Sequence, residues 1–173
     1  MMKAIVYCSG TGHTERYAKA LSEISGLPVY PVETAMKELA ADTKIFFMTW
    51  VKAGNLVKCG PVSERFLICG IGAVALNTGA GQDHDLRVRT GLASDFPLFM
   101  LPGGYDPSKV KGLDGMLMKL ICWKLSREIS KKIRPTELDL QMQKLLTEGG
   151  DLYDAEVLQH ILAWMQVHKK TRE

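Results

Sequence analysis

Tyr7-Cys8-Ser9-Gly10-Thr11-Gly12-His13-Thr14-Glu15 joins an apolar run to an amphipathic segment, and its reading decides the fold. Upstream, Lys3–Tyr7 is short and nearly all apolar, the pattern of a strand buried on both faces. Downstream, Tyr17, Ala18, Leu21 and Ile24 recur at helical spacing until Gly26 and Pro28 stop them. The stretch is therefore a strand-to-helix turn. A helix start offers main-chain N–H groups and the positive end of its dipole, a natural seat for a phosphate. Ser9, Thr11 and Thr14 add hydroxyls, while Gly10 and Gly12 let a ligand approach the backbone closely. No lysine follows the glycines, so the Gly-Lys-Ser/Thr end of a P-loop is missing. The dinucleotide pattern Gly-x-Gly-x-x-Gly fits Gly10 and Gly12 but meets Glu15 at its third glycine, although Glu33 lies near the distance of a ribose-binding acid. A plain turn whose Ser and Thr cap the helix also accounts for the spacing.

Working outward, four more apolar runs read as buried strands: Pro28–Val32, Lys44–Met48, Ile71–Leu76 and Phe96–Leu101. Short helices are expected near Ser63–Ile68 and Leu86–Ala93, the latter interrupted by Gly91. Strands alternating with helices predict βαβ units in an α/β sandwich, with the loops after the strands gathered on one ligand-binding edge. Later helices are expected at Leu113–Ile129, at Thr136–Leu146 before Gly149-Gly150, and at Ala155–Val167. No repeat, low-complexity segment or linker interrupts the chain, so residues 1–173 read as one domain with a helical extension over about 106–150.

Ser9 to Thr14 resembles the phosphate-binding loop of flavodoxins, Ser/Thr-x-Thr-Gly-x-Thr, with every fixed position matched and His13 in the variable place. The resemblance implies a flavodoxin-like three-layer sandwich with a five-stranded parallel sheet in the order 2-1-3-4-5. It also implies a bound flavin mononucleotide (FMN), whose phosphate Ser9, Gly10, Thr11, Gly12, His13 and Thr14 would hold. Two further loops would then contact the flavin. In Thr49-Trp50-Val51-Lys52-Ala53-Gly54-Asn55, Thr49 and Trp50 border the ring, Trp50 as a stacking partner, and Gly54 permits a peptide flip on reduction. In Asn77-Thr78-Gly79-Ala80-Gly81-Gln82-Asp83-His84, the small residues Asn77, Thr78 and Gly79 suit the pyrimidine edge. This loop departs from many flavodoxins in having no Tyr or Trp, which leaves one flavin face open, with His84 the nearest substitute.

Leu101-Pro102-Gly103-Gly104-Tyr105-Asp106 followed by Leu113-Asp114-Gly115-Met116-Leu117-Met118-Lys119-Leu120-Ile121 resembles the distinctive region of flavodoxin-type protoporphyrinogen dehydrogenases. That family passes electrons from a porphyrinogen to menaquinone through FMN. The resemblance implies an FMN-dependent oxidoreductase or electron-transfer flavoprotein. A one-electron flavodoxin-type carrier and a binding module that has lost FMN are the alternatives. The expected partners are a redox protein, a quinone or a small-molecule substrate.

Charge refines that expectation. The chain has 173 residues, 46% of them hydrophobic and 24% charged, with a net charge of +3. Electron-shuttling flavodoxins are typically strongly acidic, so this chain departs from them, and a less negative surround eases charge accumulation on a reduced flavin. The positive charge is concentrated. Between Asp106 and Arg134, eight lysines or arginines face three acids, giving this segment +5 and the remainder −2. Apolar Met116, Leu117, Leu120, Ile121, Trp123 and Leu125 are interleaved with it. Leu113–Arg134 thus reads as a basic amphipathic element that can lie on an anionic membrane surface, dock on an acidic protein, or simply pack against the sheet. No recognition motif accompanies the charge, so nucleic acid is not expected. No run reaches the length of a membrane span and no signal peptide opens the chain, so the expected location is cytoplasmic, with membrane association through that segment. Cys8, Cys59, Cys69 and Cys122 form no CxxC pair and have no histidine at ligand spacing, so no metal site is expected.

Overall fold

A computed structural model describes residues 1–76, 78–79, 81–106, 108, 116, 120, 123–124, 126–127, 129–131 and 136–170. Strand β1 (Ala4–Tyr7) is an interior strand of the sheet, with Ala4, Ile5 and Val6 fully buried because helices cover both faces. It leads through the loop of interest into α1 (His13–Ser25). Gly26 ends α1 in the left-handed conformation, its N–H bonded to the Ser22 carbonyl at 2.9 Å, as the Gly-x-Pro stop predicts.

The chain continues through β2 (Val29–Pro31), α2 (Val32–Glu38), β3 (Lys44–Lys52), β4 (Asn55–Leu56), α3 (Cys59–Arg65), β5 (Leu67–Ala75), α4 (Gln82–Thr90) and β6 (Leu98–Pro102). The result is an α/β architecture whose central sheet is mainly parallel and ordered β2-β1-β3-β5-β6. Both strand count and numbering differ from the expected five strands in order 2-1-3-4-5. The sheet has six strands, because β3 runs four residues past Met48 and turns back into β4, which pairs with it antiparallel. Thr49-to-Asn55 is therefore not a loop but strand, two-residue turn and strand. Ala53 (φ 50°) and Gly54 (φ 76°) both have positive φ, the demand of the mirror-image hairpin turns. A helix at Val32–Glu38 was not expected, although Val32, Ala35, Met36 and Leu39 carry its periodicity. The expected helix at Ser63–Ile68 is displaced to Cys59–Arg65, since Leu67 and Ile68 already belong to β5.

Side chains alternate along the strands, except where β5 slips by one residue against β3 between Ile45 and Phe46. Ala4, Val6, Ile45, Phe47, Ile71 and Ala73 pack with Val32 and Ala35 of α2, Val62 of α3 and Leu86 of α4. Ile5, Phe46, Met48, Val74 and Leu101 pack on the other face with Tyr17, Ala18 and Leu21 of α1. They are joined there by Leu158, Ile161 and Met165 of α6 (Val157–Lys170). Each such large side chain contributes roughly 1.5–3 kcal/mol by leaving water. Helix α1 thus covers one face and α2 the other. The winding reverses beside β1, and that reversal opens a crevice at the carboxyl edge of a parallel sheet.

By its internal contacts the chain divides into two compact units, Met1–Gly103 with Tyr153–Glu173, and Gly104–Leu152. In the second unit, β7 (Gly104–Tyr105) pairs antiparallel with β8 (Gly150–Asp151). Its helix α5 (Glu137–Glu148) starts at a capping box, where Thr136 and Asp139 each bond the other's main-chain N–H, and ends at Gly149. The expected helix Leu113–Ile129 falls largely outside the described residues. Within it, residues 116, 120, 123, 124, 126, 127 and 129 are helical. Among the described residues no helix is long and apolar enough to cross a membrane.

Candidate functional site at the carboxyl edge of the sheet

The loop after β1 is held from below by the Cys8 N–H, which donates to the Met48 carbonyl of β3 at 2.9 Å. It closes on itself through Ser9, whose Oγ accepts the Gly12 N–H at 3.1 Å. Gly12 is the N-cap of α1 at φ 97°, ψ −17°, a backbone that only glycine adopts without strain. The cap carries no side chain, so no side-chain group caps α1, and a Cβ there would meet nothing within 4 Å. Gly10 and Gly12 are exposed, Ser9, Thr11 and His13 half-buried, and Thr14 only 2% exposed.

Two carboxylates near the loop, Glu15 and Glu33, are each paired with a lysine. Glu15, the one carboxylate in the first turn of α1, pairs with Lys19 at 2.7 Å. That hydrogen bond, together with one from the Tyr7 phenol, holds its carboxyl below the ordinary carboxylate range. Burial pushes the Tyr7 phenol up, and the charge and hydrogen bond of Glu15 add to the effect. Glu33, the acid a dinucleotide fingerprint would turn on a ribose, instead forms an ion pair with Lys58. Burial pushes the Cys8 thiol up and Glu33 adds to it, while Lys58 and the Trp50 N–H, which donates to the sulfur, act in the opposite direction.

Of the expected binding residues, the structure brings Trp50 to the loop. A Cβ on Gly10 would sit 3.4 Å from indole atoms Cε2 and Cζ2, so the ring lies over the Gly10 backbone. The Lys52 ammonium is 5.9 Å from the Trp50 ring centroid. Thr49 faces away, fully buried, its hydroxyl donating to the Val57 carbonyl at 2.7 Å, where it fastens the hairpin. Gly54 sits at the hairpin tip beneath Arg89 of α4. After β5, Asn77 lies outside the described residues, Thr78 is exposed, and the Gly79 carbonyl accepts the Gln82 N–H at 3.2 Å as α4 begins. His84 is an exposed residue of that helix rather than of the loop. Because β1, β3 and β5 are parallel neighbours, the three segments leave the same edge at successive strand spacings of about 4.8 Å.

Sequence reading missed one group here. The Arg16 guanidinium lies 3.7 Å from the centroid of the Tyr153 ring, which stacks at 4.4 Å on Tyr17. Tyr153 is 137 residues from Arg16, and no local pattern announces the pairing. Compared with protein-family models and with curated proteins, the chain matches none.

Proposed function

We propose that the chain is an FMN-binding flavoprotein of the oxidoreductase class, with the cofactor phosphate in the turn between β1 and α1. One observation carries the reading: a left-handed glycine N-cap without a side-chain cap, inside a hydroxyl-rich loop, at the point where the sheet's winding reverses. The donors fit a phosphate monoester. Ser9 accepts from Gly12 and keeps its own O–H to donate, Thr11 adds a second hydroxyl, and the first turn of α1 adds main-chain amides and its dipole. Glu15 is the group that would repel the anion, and its pairing with Lys19 offsets that charge. Trp50, seated on Gly10, borders the cofactor on the β3 side, and Thr78 and Gly79 border it on the β5 side. FMN, when bound, supplies hydride or single-electron chemistry, and the protein's part is to hold, orient and tune it.

The second unit supports an enzyme over a simple carrier. Met116, Leu120 and Trp123, one face of a helix by their spacing, are 71%, 59% and 59% exposed instead of packed. Arg127 lies 5.3 Å from the Trp123 ring, and Lys124 and Lys131 are also on the surface. Exposed Met, Leu and Trp flanked by cations suit an anionic membrane surface, where a quinone acceptor resides. On this reading the substrate is a reduced heterocycle of the porphyrinogen kind.

The test is direct. Protein purified with FMN should retain a visible flavin spectrum after desalting, and anaerobic protoporphyrinogen should bleach it, with a menaquinone analogue restoring it. A flavin that stays oxidised removes the enzyme reading and leaves the carrier. A colourless protein that fails to take up FMN removes both.

A further inference from the structure

At the amino edge of the sheet, opposite the loops described above, the first unit contains a cavity of about 260 Å³. Its walls come from the starts of strands and from α6, and its lining is largely apolar. Met1, Met2, Met165, Trp164, His168 and Lys44 are among the residues that line it. The Trp164 and His168 rings form a wall, with centroids 4.6 Å apart. Trp164 is fixed from behind by Phe46 and Phe99, at centroid distances of 6.0 and 5.7 Å, so this wall is built into the core. His168 Nδ1 lies 2.9 Å from the Trp164 carbonyl oxygen. A carbonyl only accepts, so Nδ1 carries the proton and Nε2 is the acceptor of the neutral ring.

These features select a ligand class. Thioether sulfur and the faces of Trp and His favour a flat ring over an aliphatic one. The size lies just under the range typical of drug-sized ligands, which limits the occupant to about one ring. Lys44 favours a negative group, and among the described residues no Asp or Glu lines the cavity to oppose it. We propose that this cavity binds a small aromatic carboxylate, its ring against Trp164 and the methionines and its carboxylate toward Lys44. The site is separate from the flavin reading and stands or falls without it.

Benzoate is the probe, and methionine ε-methyl groups are the reporters. In the full chain labelled with ¹³C-methyl methionine, benzoate should move the Met1, Met2 and Met165 resonances by ring current. Met36, Met48 and Met100 should stay in place. A dissociation constant of roughly millimolar or tighter is expected. Lys44→Gln should weaken binding about fivefold while leaving the unliganded spectrum otherwise unchanged. Cyclohexanecarboxylate and benzyl alcohol should each bind less well than benzoate. No shift of the three methyls at about 10 mM benzoate overturns the proposal. So does equal binding by either control compound, or full affinity in Lys44→Gln.

Discussion

The Tyr17 hydroxyl accepts a hydrogen bond from the Asp154 N–H at 2.8 Å and donates one to the Pro102 carbonyl at 2.7 Å. Tyr17 is a fully buried residue of α1. Pro102 ends β6 just before the chain leaves the first unit, and Asp154 follows Tyr153, where the chain re-enters it. Within the first unit, one phenol therefore ties the stretch before Gly104 and the stretch after Leu152 to the helix that begins at the candidate phosphate seat.

Tyr17→Phe should unfold more easily by about 1–2 kcal/mol, since a half-buried amide and a half-buried carbonyl each lose a partner while the ring packing survives. Urea denaturation followed by circular dichroism measures it, with an unchanged slope expected. A loss under about 0.5 kcal/mol would show that water replaces the phenol at both ends.

Removing the hydroxyls of the seat should weaken FMN. Thr11→Ala combined with Thr14→Val deletes two donors, and valine preserves the packing of the buried Thr14 position. Charge-assisted bonds contribute about 1.5–3 kcal/mol each, so affinity should fall at least tenfold. Fluorescence titration of FMN into wild type and variant reads the difference.

Much of the fold was legible because its strands are short, apolar and separated by helical periodicity. The strand-loop-helix at Tyr7–Glu15 appears where the pattern puts it, and Gly26 stops α1 as its position before Pro28 predicts. The hairpin was not legible. Thr49 and Trp50 look like loop residues only if β3 ends at Met48, and nothing local reveals that Val51 pairs with Leu56. Tertiary pairing decided it, with Ala53-Gly54 supplying a turn that is weaker in sequence than Asn-Gly. Within the candidate site, the loop's backbone shape followed from its glycines. The burial of Thr14 and Thr49 and the Trp50–Gly10 contact depend on packing across strands, which no spacing encodes.

Gly54→Ala separates the two costs at the hairpin tip. An added Cβ would come within 2.8 Å of Arg89 Cδ, but that side chain can swing aside. The positive φ of 76° has no such escape and should cost about 1–2 kcal/mol. Thermal or urea unfolding should show that loss, and adding Arg89→Ala should restore little of it.

The acid–base coupling at the start of α1 has a definite sign. The Tyr7 phenol is raised, first by burial and then by Glu15, so its contribution to stability is complete below the ordinary tyrosine value. It is lost as pH rises through the higher folded value. Glu15 is lowered, chiefly by Lys19, so its contribution is present above the ordinary glutamate value and lost as pH falls through the folded one. That acid effect should be small, because the pair is exposed. Tyrosinate absorbance should show Tyr7 ionising late. Glu15→Gln should bring its titration part of the way back, since burial remains.

The most direct measurement compares FMN with riboflavin, which differs by the phosphate alone, on the same apoprotein by calorimetry. A phosphate seated in the Ser9–Thr14 turn predicts FMN binding at least a hundredfold tighter, about 2.7 kcal/mol, with most of that margin lost in the Thr11→Ala, Thr14→Val variant. Equal affinity for the two flavins, or none for either, would contradict the assignment of this turn.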